Sequence, residues 1–244
     1  MPGERRVRVA KAGLAAGLAA VGFQIGPAGS WLAPLRPRRL RATGEADSWA
    51  LTFDDGPDPH GTPAILDALD RLGLPATFFV LGSQVRRDPG LLRETVARGH
   101  EIGLHGDGHR YLIARSPRAA HDDLVRGWDS IAEVTGEPPR WWRPPYGVLS
   151  GPALVSAARL GLDPVLWSAW GRDWRAEASP MSVLTDVLRA GLPGATVLLH
   201  DSDLMGAPGS WRTTLAALPL LAAQAERRDL SARLLSEHTV LSGG

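Results

Sequence analysis

The chain has 244 residues, of which 44% are hydrophobic and 22% are charged, a composition that supports a sizeable core and excludes a disordered chain. Residues 1–46 hold eight Lys or Arg against two Glu, a charge of +6, which leaves −5 for the rest of a chain whose formal net charge is +1. Nucleic acid is therefore not expected as a partner, because phosphate binding needs a basic face.

The first residues have the composition of a targeting segment. Four basic residues come first: Arg5, Arg6, Arg8 and Lys11. The apolar stretch that follows, residues 12–23, is shorter than the roughly 20 residues that span a bilayer. We interpret residues 1–45 as a signal peptide or membrane anchor plus a basic linker, whose run at residues 36–41 is solvated or contacts a membrane surface. This predicts an extracytoplasmic protein, secreted or anchored at the cell envelope. The alternative is an amphipathic leader on a cytoplasmic protein.

From residue 46 to residue 244 the pattern alternates between strand-like and helix-like segments, which predicts one catalytic domain. The predicted strands cover residues 48–53, 76–81, 101–104, 164–167 and 195–199. The predicted helices cover residues 63–72 with Thr62 as N-cap, 89–98, 117–135, 150–160, 180–190 and 213–227. Repeated alternation of this kind predicts a parallel α/β sheet, either doubly wound or closed into a barrel.

The first predicted strand ends in two adjacent acids, within Thr52-Phe53-Asp54-Asp55-Gly56-Pro57. Neighbouring carboxylates repel each other, and such a pair persists most easily if one binds a cation while the other handles a proton. The alternative is a solvated Asp-Gly turn.

Two of the seven histidines lie four residues apart, in His105-Gly106-Asp107-Gly108-His109, directly after the predicted strand 101–104. This spacing brings both imidazoles within reach of one cation, although two surface histidines would show the same pattern. The chain has no Cys, so metal ligands must be His, Asp or Glu. Two His with one carboxylate predict a catalytic metal site with open positions. Zinc is the default divalent metal for such a set, and cobalt or nickel also suits it.

Three more candidate site motifs occur later in the sequence. Arg143 opens a rigid Pro-Pro loop that ends in Tyr146-Gly147, where it can meet a carboxylate or simply cap the structure. A Trp-rich run from Trp167 to Trp174 is either a sugar-stacking platform or core. His200 directly follows the predicted strand 195–199, and histidine suits general acid chemistry near neutral pH. Because parallel strands end at one face, we expect all five groups to converge.

Together these five ordered motifs, over about residues 48–205, resemble the polysaccharide deacetylase family of metal-dependent carbohydrate esterases. The resemblance implies an α/β fold, a distorted, incomplete (β/α) TIM-like barrel. It also implies metal-dependent hydrolysis of N-acetyl groups from an N-acetylglucosamine-type polysaccharide or oligosaccharide, with release of acetate. The implied partner is a glycan, a chitooligosaccharide or a peptidoglycan-like polymer. The alternatives are an O-acetyl glycan esterase or small-amide hydrolase on the same scaffold, and a non-catalytic carbohydrate-binding relative.

The resemblance also assigns roles to residues. Asp54 is implied to be the general base, held by Arg143, and His200 the general acid, oriented by Asp173. The implied metal ligands are Asp55, His105 and His109. The backbone N–H of Tyr146 is implied to stabilise the oxyanion, while Leu199 and Trp174 shape the pocket for the acetyl methyl and the sugar. One position departs from the family pattern, since Gly106 stands where a Ser or Thr usually braces the loop of the second histidine.

Overall fold

The computed structural model describes residue 40 and residues 42–238. The strands are β1 Ser48–Asp54, β2 Ala76–Leu81, β3 Glu101–Gly106, β4 Trp141–Trp142, β5 Asp163–Pro164, β6 Ala169–Trp170, β7 Thr196–His200 and β8 Ser231–Ala232. The helices are α1 Gly61–Leu72, α2 Gly82–Arg87, α3 Pro89–Ala97, α4 Pro117–Thr135, α5 Gly151–Arg159, α6 Pro180–Ala190, α7 Trp211–Glu226 and α8 Leu235–His238. Short 3₁₀ turns lie at Leu112–Ala114 and Pro145–Gly147.

The strands form one parallel sheet in the order β5-β4-β3-β2-β1-β7-β6, with β8 paired to the start of β1. Every residue of β1 and β2 is buried, as expected of central parallel strands covered on both faces. The sheet curls strongly. Arg143 follows β4, yet its side chain reaches Asp54 at the end of β1, three strands away, which a flat sheet would not allow. The predicted incomplete (β/α) barrel is confirmed, and the doubly wound alternative is wrong.

The predicted strand at residues 164–167 is wrong. This part of the chain is mostly irregular and bridges the gap between the end strands of the sheet, β5 and β6. Only Pro164 belongs to a strand there, in β5, and the next strand, β6, lies at the opposite edge of the sheet. The chain crosses between these edges. The Val165 N–H donates to Trp142 O on the β4 side, and the Ser168 N–H donates to Thr196 O on the β7 side. A segment that spans the opening cannot continue as a strand of either edge.

Helix boundaries follow local signals closely. The prediction was correct at both ends for α4 and α6, each of which has a Ser N-cap and a Pro in its first turn. Thr62 is not an N-cap, which corrects the prediction for α1. That helix begins two residues earlier than predicted, at Gly61, whose N–H donates to Asp58 Oδ1 at 2.6 Å. The Thr62 hydroxyl is therefore free to donate to Asp201. Helix α2 was not predicted at all.

The N-terminal ends of the strands are covered by α8. The Leu235 N–H donates to Thr77 Oγ1, and the Ser236 N–H donates to Glu101 Oε2. His238 is buried beside β1. Its Nδ1 lies 3.0 Å from Ser48 Oγ, and its Nε2 accepts the Gly44 N–H at 3.2 Å. Since Nε2 accepts, the imidazole is neutral. Burial lowers its pKa to about 4.

The buried His238 predicts a loss of stability in acid. Its folded-state pKa lies below the unfolded value of about 6.5, so its stabilising contribution is present above pH 6.5 and disappears as the pH falls towards 4. By pH 5 we expect a loss of about 2 kcal/mol in the free energy of unfolding from this group. Denaturant titrations at pH 7.5 and 5 check this. His238→Gln should lose less stability over this range than wild type, and the same change at exposed His60 should not alter the loss. An identical loss in His238→Gln and wild type would contradict the prediction.

Of the predicted signal peptide or anchor with its basic linker, residues 1–45, residues 1–39 and residue 41 lie outside the described residues, and the membrane contact stays a prediction. Among residue 40 and residues 42–238, no helix combines the length and the apolar character needed to cross a bilayer.

Candidate active site

A cavity of about 550 Å³ opens at the C-terminal ends of the strands. All five sequence motifs contribute to its walls. The lining includes Asp54, Asp55, His105, His109, Tyr146, Trp167, Trp170, Trp174 and His200. The predicted convergence of the motifs on one face is therefore confirmed.

Three groups on the cavity floor are arranged for a cation. One ligand atom from each of Asp55, His105 and His109 can be chosen so that all lie within 4.8 Å of one another. The two imidazole Nε2 atoms are 3.5 and 3.3 Å from Asp55 Oδ1, which is buried and accepts no hydrogen bond. Asp55 also has φ of +80°, a strained backbone conformation for a residue other than glycine. An unsatisfied buried carboxylate oxygen facing two imidazoles fits a divalent metal.

The protonation states suit metal binding. His105 Nδ1 lies 2.8 Å from the carbonyl oxygen of Arg143, which can only accept, so the ring proton is on Nδ1 and the lone pair is on Nε2. Burial lowers the pKa of both His105 and His109 to about 3, so both rings are neutral at pH 7. Burial raises the pKa of Asp55 to about 7 in the absence of a cation.

Asp54 is held by a buried arginine. Arg143 Nη1 donates to Asp54 Oδ1 at 2.7 Å and to Thr52 Oγ1 at 2.8 Å, and Nη2 donates to the Leu166 carbonyl. The guanidinium also stacks over the Phe79 ring at 3.9 Å. Burial raises the pKa of the Asp54 carboxyl, and the adjacent guanidinium opposes that rise. The carboxylate is thus fixed in orientation and keeps Oδ2 free of Arg143.

His200 has a second carboxylate as partner. Its Nδ1 lies 2.9 Å from Asp173 Oδ1, and its backbone N–H and the Thr214 hydroxyl both donate to Asp173 Oδ2. Burial alone lowers the pKa of His200, but the charge and hydrogen bond of Asp173, with the nearby Asp55 and Asp54, outweigh it and raise the pKa to about 10. The His200 ring is therefore a proton donor at pH 7, and its Nε2 is not engaged by Asp173.

The family is settled by comparison with known proteins. A family model described as Polysaccharide deacetylase matches residues 41–165, half of the chain. The chain belongs to the polysaccharide deacetylase family.

Relatives in this family have named activities. A chitooligosaccharide deacetylase of Bradyrhizobium sp. (strain ANU 289) is 42% identical over 152 residues, covering 62% of this chain and 69% of the relative. The peptidoglycan-N-acetylglucosamine deacetylase PgdA of Listeria monocytogenes is 37% identical over 169 residues, covering 69% of this chain but only 35% of the relative. Among solved structures, the Bc1960 peptidoglycan N-acetylglucosamine deacetylase superposes with a TM-score of 0.74 at 28% identity, covering 80% of this chain and 90% of that chain.

Aromatic rings form the walls of the deacetylase-family cavity. On one side Trp167, Trp170 and Trp174 follow one another with centroid distances of 5.8 and 5.4 Å, and Trp174 meets the His200 ring edge-on at 5.3 Å. The predicted Trp cluster therefore lines the cavity and is not part of the core. A second aromatic group contains Tyr146, which contacts the His109 ring at 4.3 Å and stacks on Tyr111 at 3.7 Å.

The predicted contribution of Leu199 to the pocket is wrong. Leu199 is fully buried in the main core cluster with Val183 of α6, and Leu198 lines the cavity instead. The reason is the two-residue period of a strand: Leu198 shares a face with His200, and Leu199 points to the opposite face.

Two positioning residues, Thr52 and Asp201, were not predicted. Thr52 accepts from Arg143 and donates to the Val197 carbonyl. Asp201 approaches the loop after Asp55 so closely that a Cβ on Gly56 would lie 2.3 Å from its Oδ2. The position of Asp201 next to His200 was the only available signal, and no local pattern marks Thr52.

Proposed function

We propose that the chain is a metal-dependent deacetylase that removes N-acetyl groups from an N-acetylglucosamine-type polysaccharide or oligosaccharide and releases acetate. The observation that carries the proposal is the set Asp55, His105 and His109, with ligand atoms within 4.8 Å, on the floor of a cavity that Asp54 and His200 also line. The names of the curated relatives support a chitooligosaccharide or peptidoglycan-like substrate. Such a polymer lies outside the cytoplasm, so we propose an extracytoplasmic location.

In this proposal Asp55, His105 and His109 hold a divalent cation. Two neutral imidazoles and one carboxylate suit zinc first, and cobalt or nickel also fits. When bound, such a cation polarises a carbonyl group and lowers the pKa of a coordinated water towards about 7.

The protein side chains would handle the protons. Asp54 takes a proton from the attacking water, and Arg143 holds its carboxylate in the required orientation. His200 gives a proton from Nε2 to the leaving nitrogen, while Asp173 keeps Nδ1 protonated and stabilises the imidazolium. Asp54 and His200 are partners in register on the neighbouring strands β1 and β7, so the proton acceptor and the proton donor lie side by side at the cavity.

The developing negative charge would be stabilised by the Tyr146 backbone N–H. Tyr146 has φ of +60°, an uncommon conformation for a residue other than glycine, and it follows two prolines. A backbone donor fixed in this way can stabilise an oxyanion without reorganising during the reaction.

The sugar ring would lie against the tryptophan wall. We expect Trp174→Ala to raise KM for N-acetylchitooligosaccharides about tenfold, a loss of about 1.4 kcal/mol of binding free energy. Trp174→Phe should recover most of it, because a phenyl face still contacts the sugar C–H groups. Initial rates over a range of oligosaccharide concentrations measure this. Trp128 on α4 is half-buried and does not line the cavity, so Trp128→Ala should leave KM unchanged. An unchanged KM in Trp174→Ala would contradict the assignment.

Acetate release tests the proposed function as a whole. The substrates are N-acetylated chitooligosaccharides, peptidoglycan and acetyl-xylan, each with the untreated enzyme, the chelated enzyme and the chelated enzyme given zinc. We expect release from an N-acetylated glycan that chelation abolishes and zinc restores. Release from acetyl-xylan alone would indicate an O-acetyl esterase. No release from any glycan, or release indifferent to the chelator, would refute the proposal.

A further inference from the structure

The turn between the two histidines of the proposed metal site has little to fix it from within. Gly106 follows His105 without a side chain, and its φ is +111°. Gly108 comes next but one, so the turn has two glycines in three residues. A turn of this composition has many accessible conformations, and few of them hold both imidazoles towards Asp55. Something outside the turn must select one.

Asp123 on α4 meets the turn from outside. It is 1% exposed, its Oδ2 accepts the Asp107 N–H at 3.1 Å, and the Gly108 N–H also interacts with the carboxylate. One carboxylate therefore engages two successive amides between His105 and His109. Its Oδ1 accepts no hydrogen bond and has Arg126 Nη2 only at 3.9 Å.

The carboxylate also takes the place of a missing side chain. A Cβ built on Gly106 would lie 2.9 Å from Asp123 Oδ2, closer than real Cβ contacts allow. The helix approaches closely enough because Gly127, one turn along α4, has no side chain either; a Cβ there would be 2.9 Å from the Gly106 carbonyl group. Gly106, Asp123 and Gly127 thus form one fitted contact.

Two arginines complete the attachment from the other side of the turn. Arg126 Nε donates to Asp107 Oδ2 at 3.0 Å, and Arg86 Nη1 lies 2.7 Å from Asp107 Oδ1. The Ser83 N–H donates to the Asp107 carbonyl. The two arginines are half-exposed, and the Ser83 group belongs to the backbone. Asp123, in contrast, is a fully buried acid. Burial of a carboxylate is unfavourable unless its hydrogen bonds and ion pairs compensate for the lost hydration.

We propose that Asp123 is a positioning residue of the metal site, whose carboxylate holds the His105–His109 turn in its metal-binding conformation in place of a side chain at position 106. It contacts neither metal nor substrate and acts through the Asp107 and Gly108 amides. The inference rests on the proposed metal site.

Zinc affinity of the metal-free protein, measured by competition with a chromogenic chelator, tests this. We expect Asp123→Ala to weaken zinc binding about 10- to 100-fold, as loss of a partner behind a metal ligand typically does. Asp123→Asn keeps an acceptor oxygen for the Asp107 N–H and should stay within about threefold of wild type. Asp129→Ala, an exposed aspartate on the same helix, is the matched control and should have no effect. Wild-type affinity in Asp123→Ala would overturn the inference alone, whereas no divalent-metal binding by wild type would overturn the proposed function with it.

Two further measurements separate positioning from general stabilisation. Amide hydrogen exchange in the metal-free protein should speed up at Asp107 and Gly108 in Asp123→Ala and stay slow in Asp123→Asn. Gly106→Ala should weaken zinc binding when Asp123 is present, since the new Cβ meets the carboxylate. In the Asp123→Ala background that contact is absent, so the factor by which Gly106→Ala raises the zinc Kd should be at least about threefold smaller. Strictly additive effects, or unchanged exchange at both amides, would overturn the inference.

Discussion

Asp54→Asn is expected to lower kcat for deacetylation by about 10²- to 10⁴-fold while the protein keeps its metal. Asparagine has nearly the same shape, and its carbonyl oxygen can still accept from Arg143 Nη1, which lies 2.7 Å from Asp54 Oδ1. It cannot accept a proton from the attacking water. The proposed ligand is the neighbouring Asp55, so the metal site should stay intact. Acetate release gives kcat, and elemental analysis of the dialysed protein gives the bound metal.

The control for this variant is Asp58→Asn, in the same loop. Asp58 Oδ1 accepts the His60 and Gly61 N–H groups at the start of α1, an interaction that a carboxamide oxygen can keep. Asp58→Asn should therefore leave kcat and metal content unchanged. Full activity in Asp54→Asn, or metal loss in that variant as large as in a ligand variant, would contradict the role given to Asp54.

Local signals in the sequence explain why the long helices were predictable. Helix α4 has Ser116 as N-cap, Pro117 in the first turn and Gly136 at the end, where φ is +81°. These signals act within a few residues, so they can be recognised without the fold. Strands β5 and β6 have two residues each, too few to show a period, and their positions depend on the far edges of the sheet.

The site was predictable to the extent that its motifs are local. Asp54-Asp55 and His105-x-x-x-His109 are visible in the sequence, whereas the contact between Arg143 and Asp54 spans 89 residues and was expected only from the family resemblance. The choice between Leu198 and Leu199 was decidable, because a cavity-facing His200 places residue 198 on the same face. The role of Asp123 could not be predicted, since nothing in a helical sequence shows which acid faces a distant turn.

Loss of the metal is the expected result of His105→Ala. The free energy of zinc binding in small protein sites, about 10–16 kcal/mol, is shared among three or four ligands, so one ligand contributes about 4 kcal/mol, or about a thousandfold in affinity. His105 lies in β3, is 2% exposed and is oriented by its hydrogen bond to the Arg143 carbonyl. Zinc titration of the metal-free variant measures the loss, and acetate release should disappear with it.

The contrast between His105→Ala and Asp54→Asn separates the two halves of the proposed chemistry. The first should lose metal and activity together, and excess zinc should restore part of the activity if the fold is intact. The second should keep its metal and stay inactive at any zinc concentration, because a proton acceptor is missing. His60→Ala is the matched control for the histidine variant, since His60 is exposed and its side chain makes no cap hydrogen bond to α1. If His105→Ala bound zinc as tightly as this control, His105 would not be a ligand, and the division between a metal-holding Asp55 and a proton-accepting Asp54 would lose its basis.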